Sequence, residues 1–317
     1  MFALSQYVNI LSVYRSDEDR RCIIGYALDK DSVTNWIRTM GFRLFLLLAV
    51  SLLISGCATT RIPGHLSEGI LSNDDLELVA DGLPAYLLTM DGLVLTYPNS
   101  ARVLGASAEL HSAYAGVFVD DPERERRLTT KALDLAVRAT CEDLPDLCDI
   151  RTIRATEAER RIDAVTREKH APALYLLGSI WASYIQAHSD DWNAVADLAK
   201  AQRLLERQTT LMPGYNQGMG ELYLAVMASL LPPSLGGQPE VARTYFEQAI
   251  EHSEGQNLIV KVYYAQEYAR MMFDRGLHDS LLQQVLDADP KAGTLTLQNT
   301  FAQRQARALL ASGDSYF

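Results

Sequence analysis

LGSIWASYI at 177–185 and ARTYFEQA at 242–249 decide the fold class. Each places apolar or small residues three and four apart, which builds one stripe of a helix, and neither alternates residue by residue as a half-buried strand would. The same spacing runs through most of the chain from residue 74 to 317, and few segments alternate over a strand's length. The expectation is an all-α protein. Helix starts are signalled by Asp74-Asp75, Asn99-Ser100, Asp120-Asp121-Pro122 with Glu123 next, Pro172, Asp190-Asp191 and Pro213. A short polar side chain accepts from the free amides of a first turn, and proline fits a helix's first position. Stops at Gly92, Pro98, Pro145, Pro232-Pro233, Gly236-Gly237, Gly276 and Pro290 leave helices of about 15–20 residues.

Helices in up-and-down succession form either a bundle or a stack of repeated hairpins, and self-similarity separates the two. In the tetratricopeptide pattern the first helix of a hairpin carries Leu-Gly with an aromatic residue three further on, and Leu177, Gly178 and Trp181 supply it. The second helix carries alanine, an aromatic four later and alanine three after that; Ala242, Phe246 and Ala249 supply these. Small residues let antiparallel helices approach, and the aromatic fills the wedge where a pair meets its neighbour. Pro213 follows a helix expected over 192–208, and Pro290 follows one over 281–286, where the repeat places its closing proline. The copies are degenerate, and other helical cores contain such spacings too. The expected fold is a single tetratricopeptide-like array of degenerate helical hairpins over 74–317. Such arrays bind partners on the face formed by their first helices, and counting from Leu177-Gly178 places Tyr175, Ser179 and Ser183 there as candidate partner or ligand residues. The aromatics Trp181, Tyr184, Trp192, Tyr215, Tyr223, Tyr245, Phe246, Tyr263, Tyr264 and Tyr268 belong mostly to the core on this reading.

Upstream of the array, an unbroken apolar run over 44–54 follows Arg43 and ends in Ser55-Gly56-Cys57. A spanning helix needs about 20 apolar residues, so this run has the length of a signal-peptide core. ISGC at 54–57 resembles the bacterial lipobox, in which the cysteine is acylated and becomes the mature N-terminus. Cys57 is therefore the expected lipidation site, 40–56 the lipoprotein signal peptide and 57–73 a tether. Acyl chains contribute roughly 0.8 kcal/mol per buried methylene, enough for two or three of them to hold a protein on a membrane. Residues 1–39, with charges at Asp17, Glu18, Asp19, Arg20 and Arg21, are expected to reflect a start codon set too early or a disordered leader. The expected location is the periplasm, lipid-anchored, and Ala58 after the cysteine favours the outer membrane over the inner.

The chain carries a formal charge of −11. Removing residues 1–56 takes six of the 29 basic and five of the 40 acidic side chains, so the mature part stands near −12. Such a surface does not seek nucleic acid. Cys141 and Cys148 are a close pair that is expected to bridge in an oxidising compartment. A zinc site there is the weaker reading, because no second pair or nearby histidine completes four ligands. The six histidines are scattered, without the spacing of a metal helix, and Gly236-Gly237 lacks the Lys and Ser or Thr of a phosphate loop. No Gly-x-Ser-x-Gly elbow occurs. Arg154, Glu157, Glu159, Arg160, Arg161 and Asp163, like the run 123–127, read as solvated, mutually paired helix faces. The expectation is a protein without catalytic residues, metal or cofactor.

Beyond these motifs, the chain from about residue 74 to its end resembles the TRAP transporter T-component family. The matching stretches are DLELVADGLPAYLLTMDGLVLTYPN at 75–99, AYAGVF at 113–118, LGSIWASYI at 177–185, LLPPSLGGQPEVARTYFEQAIEHSEGQNL at 230–258, VYYAQEYAR at 262–270, Leu297-Gln298-Asn299 and the closing Asp314-Ser315-Tyr316-Phe317. Leu235-Gly236-Gly237, a loop inside a helical hairpin, is the most specific of them. The resemblance implies an accessory lipoprotein of solute uptake that binds the periplasmic solute-binding receptor of a TRAP transporter. It also implies ring-like homo-oligomers, a trimer being one such form, with a cavity through each array suited to a small hydrophobic ligand. The alternative from another class is a general outer-membrane scaffold for envelope assembly; a cell-wall or ester hydrolase would need converging carboxylates that no motif demands.

Overall fold

A computed structural model gives the fold and describes residues 62–231 and 237–317. The residues before 62, with the leader, the signal peptide and Cys57, lie outside the described residues, as do Leu235 and Gly236. Among the described residues the chain is all helical. Helices α1 (Ile62–Leu71), α2 (Leu76–Thr96), α3 (Ala101–Phe118), α4 (Pro122–Asp143), α5 (Ala155–Asp163), α6 (Ala171–Ala187), α7 (Trp192–Ala196) and α8 (Leu198–Leu211) come first. They are followed by α9 (Tyr215–Ala228), α10 (Pro239–His252), α11 (Leu258–Tyr263), α12 (Arg275–Asp287), α13 (Thr296–Ala311) and α14 (Gly313–Tyr316). Gly64–Phe317 forms one compact unit. Within it, helices pack mainly against near neighbours in sequence: α2 on α3, α3 on α4, α4 on α6, α6 on α8, α9 on α10 and α12 on α13.

Several helix starts follow from their first residues. Asp75 accepts from the Glu77 and Leu78 amides at 3.1 and 3.0 Å, Ser100 caps α3, and Asp121 accepts from the Glu123 amide with Pro122 opening α4. Asp191 caps α7 in the same way. Two glycines expected as stops are interior instead: α2 runs through Gly92 to Thr96, and Gly276 lies in the first turn of α12. The helix expected over 192–208 breaks at Asp197, which ends α7 and begins α8. The stretch expected as a tether contains α1.

Two large apolar cores stand out among the described residues, with smaller clusters beside them. The first gathers Leu104, Leu133, Leu147, Ile162, Leu174, Trp181 and Leu204 from α3 to α8. Gly178 sits so close to α8 that a Cβ there would lie 2.8 Å from Leu205, and Trp181 is fully buried beside it. The second gathers Leu222, Phe246, Leu258, Tyr264, Leu282 and Ala306 from α9 to α13. There Ala242, Phe246 and Ala249 are all fully buried, and the Phe246 and Tyr264 rings stack at 4.6 Å. The charged residues of α5 form a surface network in which Arg160 and Arg161 clamp Glu157, while Arg161 also reaches Asp149 at 2.6 Å. These guanidiniums hold the Glu157 carboxyl down at about 2.

Candidate functional site

The side chains that collect most unusual chemistry lie along one inner face made by α3, α6, α9 and α11. Tyr175 of α6 is buried, and its phenol oxygen accepts a hydrogen bond from Asn216 Nδ2 at 3.0 Å. Its ring meets Tyr215 edge-on at 5.3 Å, a favoured geometry for aromatic pairs. Burial lifts the Tyr175 phenol well above its ordinary range, with Tyr223 adding to the effect and the Asn216 amide opposing it. The Tyr223 phenol is lifted by burial and eased by the Ser183 hydroxyl. Next along the face, burial first and then Tyr223 and Glu267 push Tyr263 up to about 12.

Glu109 of α3 completes the group. Its side chain keeps exposed surface, yet desolvation raises its carboxyl above the usual range, and its charge is felt by both Tyr175 and Tyr215. The arrangement is a wall of phenols with one carboxyl and one amide beside it.

The backbone at the start of α9 is built to place Asn216. Gly214, Asn216, Gln217 and Gly218 all have positive φ, from 52° to 76°. Asparagine and glycine tolerate this region, while a residue such as glutamine costs roughly 1–2 kcal/mol there. Gly218 has a second reason, since a Cβ would lie 2.7 Å from the Ala249 carbonyl oxygen of α10. Long-range amides hold the turn. Asn257 Nδ2 donates to the Gln217 carbonyl at 3.0 Å, and Gln298 Nε2 donates to Asn257 Oδ1 at 2.5 Å. Asn299, fully buried, accepts from the Leu258 amide and donates to the carbonyls of Gln256 and Pro290. Leu258 then opens α11, which passes into a π-helical segment over Tyr264–Ala269, a geometry frequent at functional sites.

Of the residues expected on the partner face, Tyr175 and Ser183 belong to this wall and are joined through Tyr223. Ser179 is buried, and its hydroxyl donates to the Leu176 carbonyl of its own helix. Ser183 donates likewise to the Ser179 carbonyl at 3.1 Å. Glu109 and Asn216 were not expected. Glu109 has no distinguishing spacing, and only the glycine-rich run from Gly214 to Gly220 hints at the turn that aims Asn216. The Sγ atoms of Cys141 and Cys148 are bonded to each other, and the bridge closes the turn that follows α4. Gly237 is half-buried in irregular chain just ahead of α10. Among the described residues no three or more His, Cys, Asp or Glu side chains gather as a metal site would need.

Comparison with known proteins matches residues 72–317 to the model of the TRAP transporter T-component family. A protein of Treponema pallidum (strain Nichols), described as uncharacterized, is 25% identical over 280 residues, covering 81% of this chain and 86% of that one. The family match takes in every residue of the tyrosine wall, the left-handed turn and the amides that brace it, and the chain belongs to the TRAP transporter T-component family.

Proposed function

We propose that this protein is a non-enzymatic accessory component of a TRAP-type solute uptake system. In this role it binds the system's periplasmic solute-binding receptor and admits a small hydrophobic ligand to the tyrosine wall. The family match over 72–317 carries the reading. The wall supports its finer part: Tyr175, Tyr215, Tyr223 and Tyr263 offer ring faces, while Glu109 and Asn216 offer polar contacts to fix orientation. The helix pairing is read as tetratricopeptide-like, supported by the close approach at Gly178 and the buried Ala242, Phe246 and Ala249 set. Lipidation at Cys57 would anchor the array at the periplasmic face of a membrane, the outer one by the Ala58 criterion, and copies would act as a homo-oligomer.

The test is affinity capture of the tagged mature protein from detergent-solubilised envelopes of its source cell, with partners identified by mass spectrometry. A periplasmic solute receptor should be recovered, and Tyr223→Ala should weaken any ligand that native mass spectrometry finds on the protein at least about tenfold. Recovery of barrel-assembly or secretion proteins alone would replace this reading with that of an envelope scaffold.

A further inference from the structure

Among the described residues α2 alone is long and apolar enough to cross a membrane, yet it lies on the array with one stripe, Val79, Leu83, Leu87 and Met90, buried. Its other faces meet solvent. Leu88, Gly92 and Leu95 follow one another at helical spacing and are exposed, the two leucines by 73% and 84%. Tyr97, at the end of the helix, is 55% exposed. Large apolar side chains left this open in one part of a surface mark contact with a partner or a membrane.

Charge narrows the choice. A groove of about 470 Å³ borders Leu95 and is lined by Arg127, Lys131 and Arg138 of α4, with Asp91 and Asp134 as its acids. Both acids are already engaged, Asp91 by Lys131 and Asp134 by Arg151. Arg127 makes no hydrogen bond or ion pair among the described residues. Arg138 gives one N–H to the Pro98 carbonyl at 2.7 Å, which brings the corner after Tyr97 beside it. Two guanidiniums thus stand without an anion next to exposed leucines, in a chain whose formal charge is −11. The planar fork of arginine suits phosphate. Leucine, tyrosine and arginine side chains together suit the headgroup layer of a bilayer, where apolar bodies and polar tips are both satisfied.

We infer that the C-terminal half of α2 and the α4 groove form the membrane-contact face of the protein. Leu88, Leu95 and Tyr97 enter the headgroup layer, and Arg127 and Arg138 seat on phospholipid phosphate. Chain length supports this occupant. Five residue steps separate Cys57, the expected acylation site, from Ile62 at the start of α1, a reach of at most about 18 Å. The ten residues of α1 add about 15 Å, and Asp74, between α1 and α2, is fixed to the array by Lys291 at 3.0 Å. An anchor this close holds the first helices at the bilayer surface, so one of their faces meets lipid. The first half of α2 is the poorer contact, because Glu77 and Asp81 lie there by helical spacing on the flank that Leu88 and Leu95 occupy further on. The helix therefore meets the bilayer with its C-terminal end lowest.

This orientation rests on the membrane-anchor part of the proposed function, and the two can fail apart because the test supplies the anchor chemically; mass spectrometry of the native protein for an acyl chain on Cys57 tests the anchor by itself. The mature chain from Cys57 onward, which contains the whole compact unit, is coupled through its Cys57 thiol to maleimide-bearing lipid. The vesicles are phosphatidylethanolamine and phosphatidylglycerol, with or without lipid brominated high on its acyl chains. Cys141 and Cys148 are bonded to each other and do not compete for the maleimide. The emission added by Leu95→Trp should fall at least about twofold in brominated vesicles, since a face buried roughly 5–10 Å into the headgroup boundary comes within reach of the bromines. That added by Val241→Trp, at an exposed position on α10, should stay unchanged. Arg127→Gln combined with Arg138→Gln should keep the helical circular dichroism and recover most of the lost Leu95→Trp emission. Unquenched Leu95→Trp, equal quenching at positions 95 and 241, or quenching that survives the double replacement would overturn the inference. Capture of an acidic protein through Arg127 and Arg138, with no quenching at position 95, would assign the face to that protein and overturn it too.

Discussion

The first and second cores are held together by different kinds of polar contact. From α2 to α7 several helices begin on a side chain two or three residues from the amide it caps: Asp75, Ser100, Asp121 and Asp191. From α9 to α13 only α12 has such a cap, supplied by Asp274, and the other ends there lack one. In their place Asn257 reaches the Gln217 carbonyl, Asn299 ties Gln256, Leu258 and Pro290, and Gln303 donates to the carbonyls of Val285 and Ala288. Four helix starts of the first region are thus specified locally, while α5, α6 and α8 begin without a side-chain cap. In the second, α12 apart, several helix ends are tied by side chains that lie many positions away, so those ties form only once another hairpin has docked.

The sharpest way to break this comparison is to remove one tie of each kind. Asn299→Ala strips a fully buried amide and leaves the Leu258 amide and two carbonyls without their partner. Each unsatisfied buried group costs about 1–3 kcal/mol, so the loss should be about 3 kcal/mol in urea unfolding. Asp75→Ala, which removes an exposed local cap, should cost about 1 kcal/mol. Equal losses would show that the long-range amides are no more than caps at a distance.

A smaller effect is expected from the covalent tie of the first region. Cys141 and Cys148 are seven residues apart, and a loop that short yields about 2 kcal/mol in the chain-entropy account. Replacing both with serine should therefore lower stability by about 2 kcal/mol. Hydrogen exchange should quicken around the buried Leu147 and Ile150 while the Leu258 amide, tied to Asn299, keeps its protection. Faster exchange at Leu258 would mean that the two regions open as one and that their difference is only chemical.

The same division explains what the sequence made legible. Asp75, Ser100 and Asp121 announce their helices because capping is a local event. Leu177, Gly178 and Trp181 disclose a close helix pair because their spacing alone sets one face, and that register placed Tyr175 and Ser183 on the wall. It did not reveal that Ser179 turns to the Leu176 carbonyl, since one rotamer decides that. Gly92 misled as a stop because its helix continues under packing on the opposite stripe. The break at Asp197 and the left-handed turn at Asn216 and Gln217 were hidden, the turn because Asn257, forty positions on, holds it. Glu109 carries no local mark. Its raised carboxyl comes from burial that only the fold supplies, and Tyr175, which feels its charge, lies more than sixty residues later.

The smallest expected effect concerns His111, which belongs to the locally specified region and yet depends on three helices. Its Nδ1–H donates to the Ser107 carbonyl at 2.7 Å within α3, and its Nε2 lies 3.6 Å from Asp91 of α2. Burial lowers the imidazole below its ordinary 6.5, Lys131 of α4 acts in the same direction, and the Ser107 carbonyl and Asp91 oppose them. The unfolded chain therefore takes up a proton near pH 6.5 that the folded chain still refuses. Stability should be full above that pH and decline as pH falls through it, levelling once the folded imidazole also protonates. Glu109 acts with the opposite sign, because its raised carboxyl makes the folded chain the better proton acceptor as pH falls. The effect of His111 is accordingly read as the difference between the parent and His111→Gln. The parent should lose more stability between pH 7 and pH 5.5 than the variant does, by well under the ~3 kcal/mol expected for Asn299→Ala. Parallel pH profiles would show that the imidazole is as free to protonate in the fold as out of it, and that α2 packs on α3 more loosely than its buried stripe indicates.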